Sequence, residues 1–219
     1  MKIAAISDTH EKHNYINNFP EADVFVFAGD VTMRGENYWL ENFNNWLGEL
    51  PYKYKLVIAG NHDRNLDLID KGDTIDNARK YGQEKLINAI YLLDEGFEIN
   101  GVKFWGSPYT PFFASEYWKF HYHEGEAQTQ WDKIPVDTDV LITHGPAKFH
   151  GDRCLEGDYA GCFDLAEAIR RIKPKVHIFG HIHEDRGVIQ HEDTLYCNVS
   201  AVDRKYNLRN DPWTIIELK

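Results

Sequence analysis

The sequence predicts a mixed α/β layered domain, and three features of the chain support that fold class. Short apolar and β-branched runs of strand length recur along the chain. Helical patterns lie between several of these runs in the first part, which favours parallel βαβ units. From about Tyr91 onward, Gly, Asn-Gly and acidic turns separate shorter strands, as in antiparallel hairpins, and Asn100-Gly101 is the clearest such turn.

Six segments have the length and composition of buried strands. Each is short and rich in aliphatic or aromatic residues, and they comprise residues 2–7, 24–28, 55–59, 102–105, 140–143 and 176–179. We therefore expect these segments to form the sheets of the domain.

Three segments are predicted helices. Apolar residues recur at helical spacing between Trp39 and Leu50, and the proline that follows ends this segment. A weaker helical pattern covers roughly residues 74–89. In the third segment Asp164 is the predicted N-cap, apolar residues follow it at helical spacing, and Pro174 stops the helix.

The size and composition of the chain indicate a globular protein. Its 219 residues, of which 42% are hydrophobic and 14% aromatic, can bury a sizeable core, and we expect a single domain over residues 1–219. The formal net charge of −11 disfavours extended nucleic acid as the main substrate, because strong binders of the phosphate backbone carry a basic field. Bound divalent cations can neutralise a local cluster of carboxylates within such a chain.

Three features predict a cytoplasmic protein without a membrane segment. The longest apolar runs, such as residues 24–28 and 140–142, are far too short to cross a bilayer. The N-terminus enters a predicted strand without the apolar stretch of a secretion signal. Cys154, Cys162 and Cys197 are sparse and show no C-x-x-C spacing, so we expect free thiols.

The most informative feature is a compact polar group at the end of each of five predicted strands. These groups contain Asp, Asn or His, often beside a glycine, and are Ser7-Asp8-Thr9-His10, Gly29-Asp30, Gly60-Asn61-His62-Asp63, Thr143-His144-Gly145 and Gly180-His181-Ile182-His183. In open α/β sheets, ligand sites form beyond the carboxyl ends of the strands. A single group of this kind is more often a turn, but the ordered set of five predicts one shared site.

The residue types in these groups indicate a transition-metal site. Imidazole combined with carboxylate and amide oxygen suits Mn, Fe, Zn, Co or Ni, whereas Mg and Ca prefer oxygen ligands alone. Asp8 and His10 are two residues apart, as are His181 and His183, so both side chains of each pair lie on the same side of an extended segment. Asp30 is a candidate bridge between two ions, which at about 3.5–4 Å apart can share a hydroxide and clamp a phosphoryl oxygen.

With this ordered set, from Asp8 to His183, the sequence resembles the calcineurin-like metallophosphoesterases. Segments 138–146 (TDVLITHGP) and 172–183 (IKPKVHIFGHIH) are similar to the small metallophosphoesterase-domain branch of that family in particular. The resemblance implies an α/β fold that is a four-layer α-β-β-α sandwich, in which helices flank two mixed sheets. The phosphoprotein phosphatase branch has Asp where this chain has Met33, which weakens assignment to those phosphatases.

The resemblance also implies a role for each residue of the predicted site. Asp8, His10 and His183 would hold one divalent ion, Asn61, His144 and His181 a second, and Asp30 would bridge them. Mn²⁺ is the favoured ion, with Fe, Zn, Co and Ni as alternatives. His62 would donate a proton to the leaving oxygen or stabilise charge there, and Asp63 would fix its ring by accepting a hydrogen bond. A loop salt bridge is the alternative for His62 and Asp63.

One segment offers a candidate wall for the site. Residues 106–131 are crowded with aromatic side chains, and Trp118 is a candidate surface on which a base or aryl group stacks. The alternative is that these rings cover the sheet. His121 and His123 belong to the same segment and are not predicted ligands.

Two further residues require an interpretation. Arg153 lies in segment 150–162, which has the composition of a flexible loop, and is either a contact for a substrate phosphate or a solvated surface arginine. His177 lies in an apolar strand and is predicted to be a core histidine whose hydrogen bonds are satisfied.

The leading functional prediction is hydrolysis of a small phosphodiester by attack of a metal-bridging hydroxide, with a cyclic nucleotide as the candidate substrate. A phosphomonoesterase or phosphoprotein phosphatase that uses the same ions is the first alternative. A non-catalytic metal-binding scaffold is the second, although such proteins usually lose ligands and all seven positions are filled here. The expected partner is a small phosphoester, with no extended nucleic acid and no membrane, and the oligomeric state stays open.

Overall fold

The computed structural model describes residues 1–218. In chain order the strands are β1 (Lys2–Ile6), β2 (Val24–Ala28), β3 (Tyr54–Ile58), β4 (Ile90–Tyr91), β5 (Glu95–Ile99), β6 (Val102–Ser107), β7 (Thr110–Pro111), β8 (His121–Tyr122), β9 (Val140–Thr143), β10 (Val176–Phe179), β11 (Gly187–His191), β12 (Thr194–Asn198) and β13 (Thr214–Glu217). The helices are α1 (Asn37–Glu49), α2 (Ile75–Lys85), α3 (Ala127–Trp131) and α4 (Phe163–Ile172). All six predicted strands are present, at or close to their expected bounds.

Two large mixed sheets contain most of the strands. The first has the order β13-β1-β2-β3-β4, in which β1 to β4 are parallel and β13 is antiparallel. The second has the order β11-β12-β10-β9-β6-β5, in which the four central strands are parallel and both edge strands are antiparallel. The predicted turn at Asn100-Gly101 joins β5 to β6, which confirms that hairpin.

Three apolar clusters separate four layers. Between the sheets, Ile58 of the first sheet packs in one cluster with Ile178 of the second. On the outer face of the first sheet, α1 buries Phe43, and on the outer face of the second, α3 and α4 bury Trp131 and Ile169. The helices therefore flank two face-packed sheets, and the predicted four-layer α-β-β-α sandwich is confirmed.

The helix boundaries depend on local caps that the sequence only partly indicates. Thr74 caps α2 as an acceptor from the Asn77 backbone N–H, and α2 ends at Lys85, short of the predicted residue 89. The prediction that Asp164 caps α4 is wrong. Cys162 has the extended backbone of a cap and its Sγ accepts from the Leu165 N–H at 3.4 Å, so Asp164 lies inside the first turn, where its charge favours the helix dipole.

Two expectations about the whole chain can be compared with the structure. Within residues 1–218, no helix combines the length and the apolar character that a membrane crossing requires. Cys154, Cys162 and Cys197 are free thiols, as the sequence predicts.

The carboxyl ends of both parallel sets of strands meet at one edge of the sandwich. Asp8 N–H donates to the Gly29 carbonyl at 2.8 Å, which extends the pairing of β1 with β2 beyond the strands. Ser7 also pairs with Ser200, so the end of β1 in the first sheet is joined to the segment after β12 of the second. This pairing brings loops from both sheets to the same place.

His177 of β10 is a core histidine with only one of its ring nitrogens paired. The Thr143 hydroxyl donates to the Gly145 carbonyl, so it accepts from Nε2–H of His177 at 2.7 Å. Within the described chain, Nδ1 is buried without a hydrogen-bond partner, so the predicted satisfied state holds for one nitrogen alone. Burial lowers the pKa of His177 from 6.5 to about 3, and the folded ring is neutral.

Acid should therefore destabilise the fold through His177. Below its ordinary pKa of 6.5 the unfolded ring binds a proton that the folded ring refuses until about pH 3, so the free energy of unfolding falls as the pH falls. Relative to His177→Gln, wild type should lose about 2 kcal/mol more between about pH 7.5 and about pH 5, at about 1.4 kcal/mol per pH unit. Urea unfolding of both proteins in excess chelator measures this without metal linkage.

The matched control is His191→Gln, because His191 is an exposed histidine. That variant should follow wild type at both pH values. An equal pH dependence for His177→Gln and His191→Gln would show that the buried ring does not titrate as described.

Candidate metal centre

The seven predicted ligands come together at the shared edge of the two sheets. Each follows a strand or a short loop after one, and the set is Asp8, His10, Asp30, Asn61, His144, His181 and His183. Six of these residues are buried and His181 is half-buried. Overlapping groups of their imidazole and carboxylate atoms lie close enough to hold an ion.

The Asp30 carboxylate lies at the middle of this group. Its Oδ1 accepts from the His62 backbone N–H at 2.9 Å. The other oxygen, Oδ2, faces Nε2 of His144 at 3.3 Å and Nε2 of His10 at 3.7 Å. One oxygen of Asp30 is thus directed at donors on both sides of the group, which is the position that a bridging ligand needs.

On one side of Asp30, Asp8 meets two imidazoles. Oδ1 of Asp8 lies 3.3 Å from Nε2 of His183, and the same Nε2 lies 3.3 Å from Nε2 of His10. The hydroxyls of Ser7 and Ser200 donate to the other oxygen, Oδ2, of Asp8. These two donors fix the carboxylate and leave Oδ1 directed at the imidazoles.

On the other side of Asp30, Asn61 meets His144, and His144 in turn meets His181. Oδ1 of Asn61 lies 3.0 Å from Nε2 of His144. The rings of His144 and His181 stand edge to face with centroids 5.1 Å apart. The two sides together place carboxylate, amide and imidazole donors around Asp30.

Backbone carbonyls determine which ring nitrogen points into the group. Nδ1 of His10 donates to the Thr32 carbonyl at 3.2 Å, and Nδ1 of His144 donates to the Ala28 carbonyl at 2.9 Å. In a neutral ring Nε2 then carries a lone pair. Lone pairs that face one another and a carboxylate repel unless a cation or a proton lies between them. The donor set therefore fits divalent metal ions, as its chemical types also do.

Burial and the carboxylates set the protonation of the rings. Burial lowers the pKa of His10 and that of His181 to about 3, so both rings are neutral, as metal ligands must be. For His144, burial opposes the charged form, but the Asp30 carboxylate outweighs it and raises the pKa to about 9. Without a metal ion, a proton on His144 compensates Asp30, and a bound ion would displace that proton.

Two glycines allow the carboxylates to approach the backbone. A Cβ on Gly180 would collide with Oδ2 of Asp8, and a Cβ on Gly60 would collide with Oδ1 of Asp30. The backbone is also left-handed at Asp8 (φ 53°) and Asp30 (φ 61°). Left-handed backbone at residues other than glycine concentrates at functional sites, because it persists only where the surroundings hold it in place.

His62 and Asp63 adopt an arrangement that differs from the predicted one. Nδ1 of His62 donates to the Met33 carbonyl at 2.7 Å, so the prediction that Asp63 holds this ring is wrong. Asp63 instead accepts from the backbone N–H groups of Thr32 at 2.9 Å and Gly60 at 2.9 Å. It joins the loop after β2 to the loop after β3, and burial, with the Asp30 charge, raises its pKa to about 6.

A cleft of about 650 Å³ opens over the candidate centre. Phe112, Phe113 and Trp118 line it, which confirms that part of the aromatic segment borders the site. The Trp118 ring packs on His62 with centroids 4.2 Å apart. Trp118 therefore covers the residue that is the candidate proton donor.

Arg153 is not among the described residues that line the cleft, and it is exposed, as in the alternative of a solvated surface arginine. Its backbone pairs with Tyr159, and its N–H donates to Asp185 at 2.8 Å. The arginine that does line the cleft is Arg204, together with Tyr206. Arg204 and Tyr206 belong to none of the strand-end motifs, because they lie in a polar stretch after the last of them. The sequence alone therefore did not identify them.

Fold and site together define a metal-dependent phosphoester hydrolase. Residues 1–185 match the family described as calcineurin-like phosphoesterase, and the chain belongs to that family. Members of this family generally bind divalent metal ions, in agreement with the groups of His and Asp described above. The resemblance drawn from the strand-end motifs is thus confirmed.

Relatives of known sequence match almost the full chain. Human Metallophosphoesterase domain-containing protein 1 is 36% identical over 231 residues, which cover 98% of this chain and 70% of that protein. A UPF0046 protein of Caenorhabditis elegans is 37% identical over 219 residues, which cover 97% of this chain and 73% of that protein. The small metallophosphoesterase-domain branch is therefore the group to which this chain is similar.

Solved structures of low identity share the fold. Phosphopantetheinyl hydrolase from Mycobacterium tuberculosis superposes with a TM-score of 0.62 at 13% identity, covering 98% of this chain and 95% of that one. The protein TT1561 of Thermus thermophilus superposes with a TM-score of 0.57 at 13% identity, covering 95% of this chain and 96% of that one. At these identities the likeness shows the fold alone.

Gly180→Ala should weaken metal binding because the added Cβ displaces the Asp8 carboxylate. We expect an Mn²⁺ affinity at least about 10-fold lower, the loss that follows when the partners orienting a ligand are disturbed. Gly187→Ala is the matched control, since a Cβ there meets open space. Titration of both metal-stripped variants with Mn²⁺ measures the difference, and equal affinities would contradict the role given to Gly180.

Proposed function

We propose that this chain is a dinuclear phosphodiesterase that hydrolyses a small phosphodiester, with a cyclic nucleotide as the candidate substrate. The observation that carries the proposal is the position of the aromatic cleft directly over the candidate metal centre. Its volume of about 650 Å³ suits one compact nucleotide. Phe113 and Trp118 offer flat faces for a base, while Arg204 offers a guanidinium for a phosphate.

The bound ions would be held in two groups that share Asp30. Asp8, His10 and His183 hold one ion, Asn61, His144 and His181 hold the other, and Mn²⁺ is the favoured metal. When bound, two such ions supply an acidified water as nucleophile and neutralise charge on the phosphoryl oxygens. The protein fixes the donors beforehand through the Thr32 and Ala28 carbonyls, so little reorganisation is needed on reaction.

His62 is the candidate proton donor to the leaving oxygen. Its Nδ1 is engaged by the Met33 carbonyl, so Nε2 is the atom directed at the cleft, 3.9 Å from Oδ2 of Asp30. Because Nδ1 keeps its own proton, a proton on Nε2 belongs to the imidazolium form of the ring, and it can pass to an alkoxide as the ester bond breaks and leave a neutral imidazole. Trp118, packed across the ring, keeps the imidazole in this orientation and limits access of water.

Two alternative functions use the same metal centre, one as a catalyst for another substrate and one only to bind metal. A phosphomonoesterase or phosphoprotein phosphatase needs the same ions but binds a dianionic phosphate. Extended nucleic acid remains a poor candidate, because the chain carries a net charge of −11. A non-catalytic scaffold would bind metal without turnover. A comparison of substrates therefore separates these functions.

The protein should hydrolyse a diester faster than a monoester, and hydrolysis should require Asp30. We expect metal-stripped protein with added Mn²⁺ to hydrolyse bis-p-nitrophenyl phosphate faster than p-nitrophenyl phosphate. Asp30→Asn should reduce the rate at least about 100-fold, equal to about 2.7 kcal/mol of transition-state stabilisation. Asp211→Asn, at an exposed aspartate, is the control and should match wild type. A preference for the monoester would favour the phosphatase, and no turnover with any divalent ion the scaffold.

His62→Ala should slow substrates in proportion to the basicity of their leaving group. For a 3′,5′-cyclic nucleotide, whose leaving group is an alkoxide, we expect kcat to fall at least about 100-fold. For bis-p-nitrophenyl phosphate the fall should be far smaller, because a nitrophenolate departs without a proton. Equal losses on both substrates would exclude proton donation by His62, and His191→Ala controls for loss of an imidazole elsewhere.

A further inference from the structure

Glu116, His121 and His123 form a second group of metal-binding side chains, which we call the histidine–glutamate cluster. One donor atom of each residue lies within 4.8 Å of the others. None of the three residues is among the seven ligands of the candidate centre or among the described residues that line its cleft. The cluster is thus a distinct feature that the proposed function does not use.

The distances in the cluster suit a shared ion. Oε2 of Glu116 lies 3.1 Å from Nε2 of His121, and Oε1 lies 3.7 Å from Nε2 of His123. In a tetrahedral zinc site with bonds of about 2.0–2.1 Å, neighbouring ligand atoms are about 3.3 Å apart. Small side-chain rotations therefore place all three donors around one ion.

The strand and its packing direct both imidazoles to the same face. In β8 and the residue after it, alternate side chains point to opposite faces. Tyr122 points into the core, where its ring meets Trp131 with centroids 5.6 Å apart, so His121 and His123 lie on the opposite face of the strand. Phe112 packs against both rings, with centroids 5.1 Å from His121 and 4.9 Å from His123. The imidazoles are therefore held before any ion binds.

The cluster is accessible and its surroundings are acidic. The side chains of His123 and Glu116 are 53% and 66% exposed, whereas that of His121 is 8% exposed. Glu124 follows His123 directly, Glu126 comes two residues later, and both add negative charge. An ion can therefore enter from solvent and keep one position for water.

We propose that the histidine–glutamate cluster binds Zn²⁺ through Nε2 of His121, Nε2 of His123 and the carboxylate of Glu116. Two imidazoles and one carboxylate form a donor set that holds zinc with three protein ligands and one open position. The inference does not rest on the proposed phosphodiesterase activity. Its alternative is a simple ion pair between Glu116 and His121.

A bound ion would fasten the loop that forms one wall of the cleft. Trp118 lies between Glu116 and His121, and its ring covers His62. The next residue, Lys119, donates its backbone N–H to the Asn61 carbonyl at 3.1 Å. Zinc at the cluster would close this loop at both ends and reduce its conformational entropy. The site therefore has a structural role that supports the position of Trp118.

Metal content of matched variants tests the proposal. Metal-stripped full-length protein is incubated with excess ZnCl₂, passed through gel filtration and analysed for zinc per chain. Glu116→Gln should retain one equivalent fewer than wild type, and Glu124→Gln, which removes the same charge from a neighbouring exposed position, should retain as many as wild type. Equal zinc content in Glu116→Gln and Glu124→Gln would overturn the site.

Two further variants separate the cluster from the main centre and from misfolding. In an Asp30→Asn background the difference of one equivalent should persist, and its disappearance would assign that ion to the main centre. His123→Ala, at a half-exposed side chain whose loss should not disturb the core, should weaken zinc binding more than about 100-fold, since even an outer partner of a ligand contributes about 10- to 100-fold. Unchanged affinity in His123→Ala would contradict the proposed ligand set.

Limited proteolysis gives a readout of the loop itself. Lys119 is a trypsin site between the cluster residues, and zinc should slow its cleavage in wild type and in Glu124→Gln. At about 100 times the Kd, protection can reach about 100-fold. Glu116→Gln keeps zinc at the main centre but lacks it at the cluster, so with zinc present Lys119 should be cleaved faster in Glu116→Gln than in Glu124→Gln. Equal protection in Glu116→Gln and Glu124→Gln would show that the cluster does not clip the loop.

Discussion

The structure depends on one electrostatic constraint, which is that several acceptor atoms are packed together around Oδ2 of Asp30. Imidazole lone pairs and carboxylate oxygens face each other at 3.3–3.7 Å in a buried setting. Such a set is stable only with positive charge inside it. A raised pKa at His144 is how the chain provides that charge without metal, and divalent ions provide it more fully.

Much of the surrounding architecture exists to hold these acceptors in place. Ser200 and the Thr32 carbonyl each engage an atom that does not point into the centre, which orients the atom that does. Asp63 binds the backbone of two loops rather than the ring of His62. Left-handed backbone at Asp8 and Asp30 costs of order 1 kcal/mol at each position and is retained because the tight strand-to-loop turns require it.

The candidate centre and the cleft above it are built from different parts of the chain. The residues of the candidate centre lie at the ends of five strands, within the part of the chain that matches the calcineurin-like phosphoesterase family. Part of the cleft lining comes from the segment between β7 and β8 and from the loop that carries Arg204 and Tyr206. Neither segment belongs to the strand-end motifs, so the lining of the cleft can vary while the candidate ligands stay the same.

The sequence by itself determined the strands and the strand-end groups that contain all seven candidate ligands, and its resemblance to the family implied the four layers and the ligand set. Short buried strands and strand-end motifs are local signals, because side-chain period and glycine requirements operate within a few residues. The sequence did not predict that Cys162 caps α4, because aspartate is a preferred N-cap residue and Asp164 lies two positions further on. The parallel order of the strands then implied that their carboxyl ends meet.

Only the tertiary structure decided which distant side chains complete the site. His62 hydrogen-bonds to the Met33 carbonyl, and Arg204 rather than Arg153 lines the cleft. The approach of Glu116 to His121 and His123 is likewise visible only in the folded chain. These contacts depend on how loops pack against one another, and that packing cannot be predicted from the spacing of residues in the sequence. The sequence determined which atoms could bind metal, and the fold decided which of them face the same point.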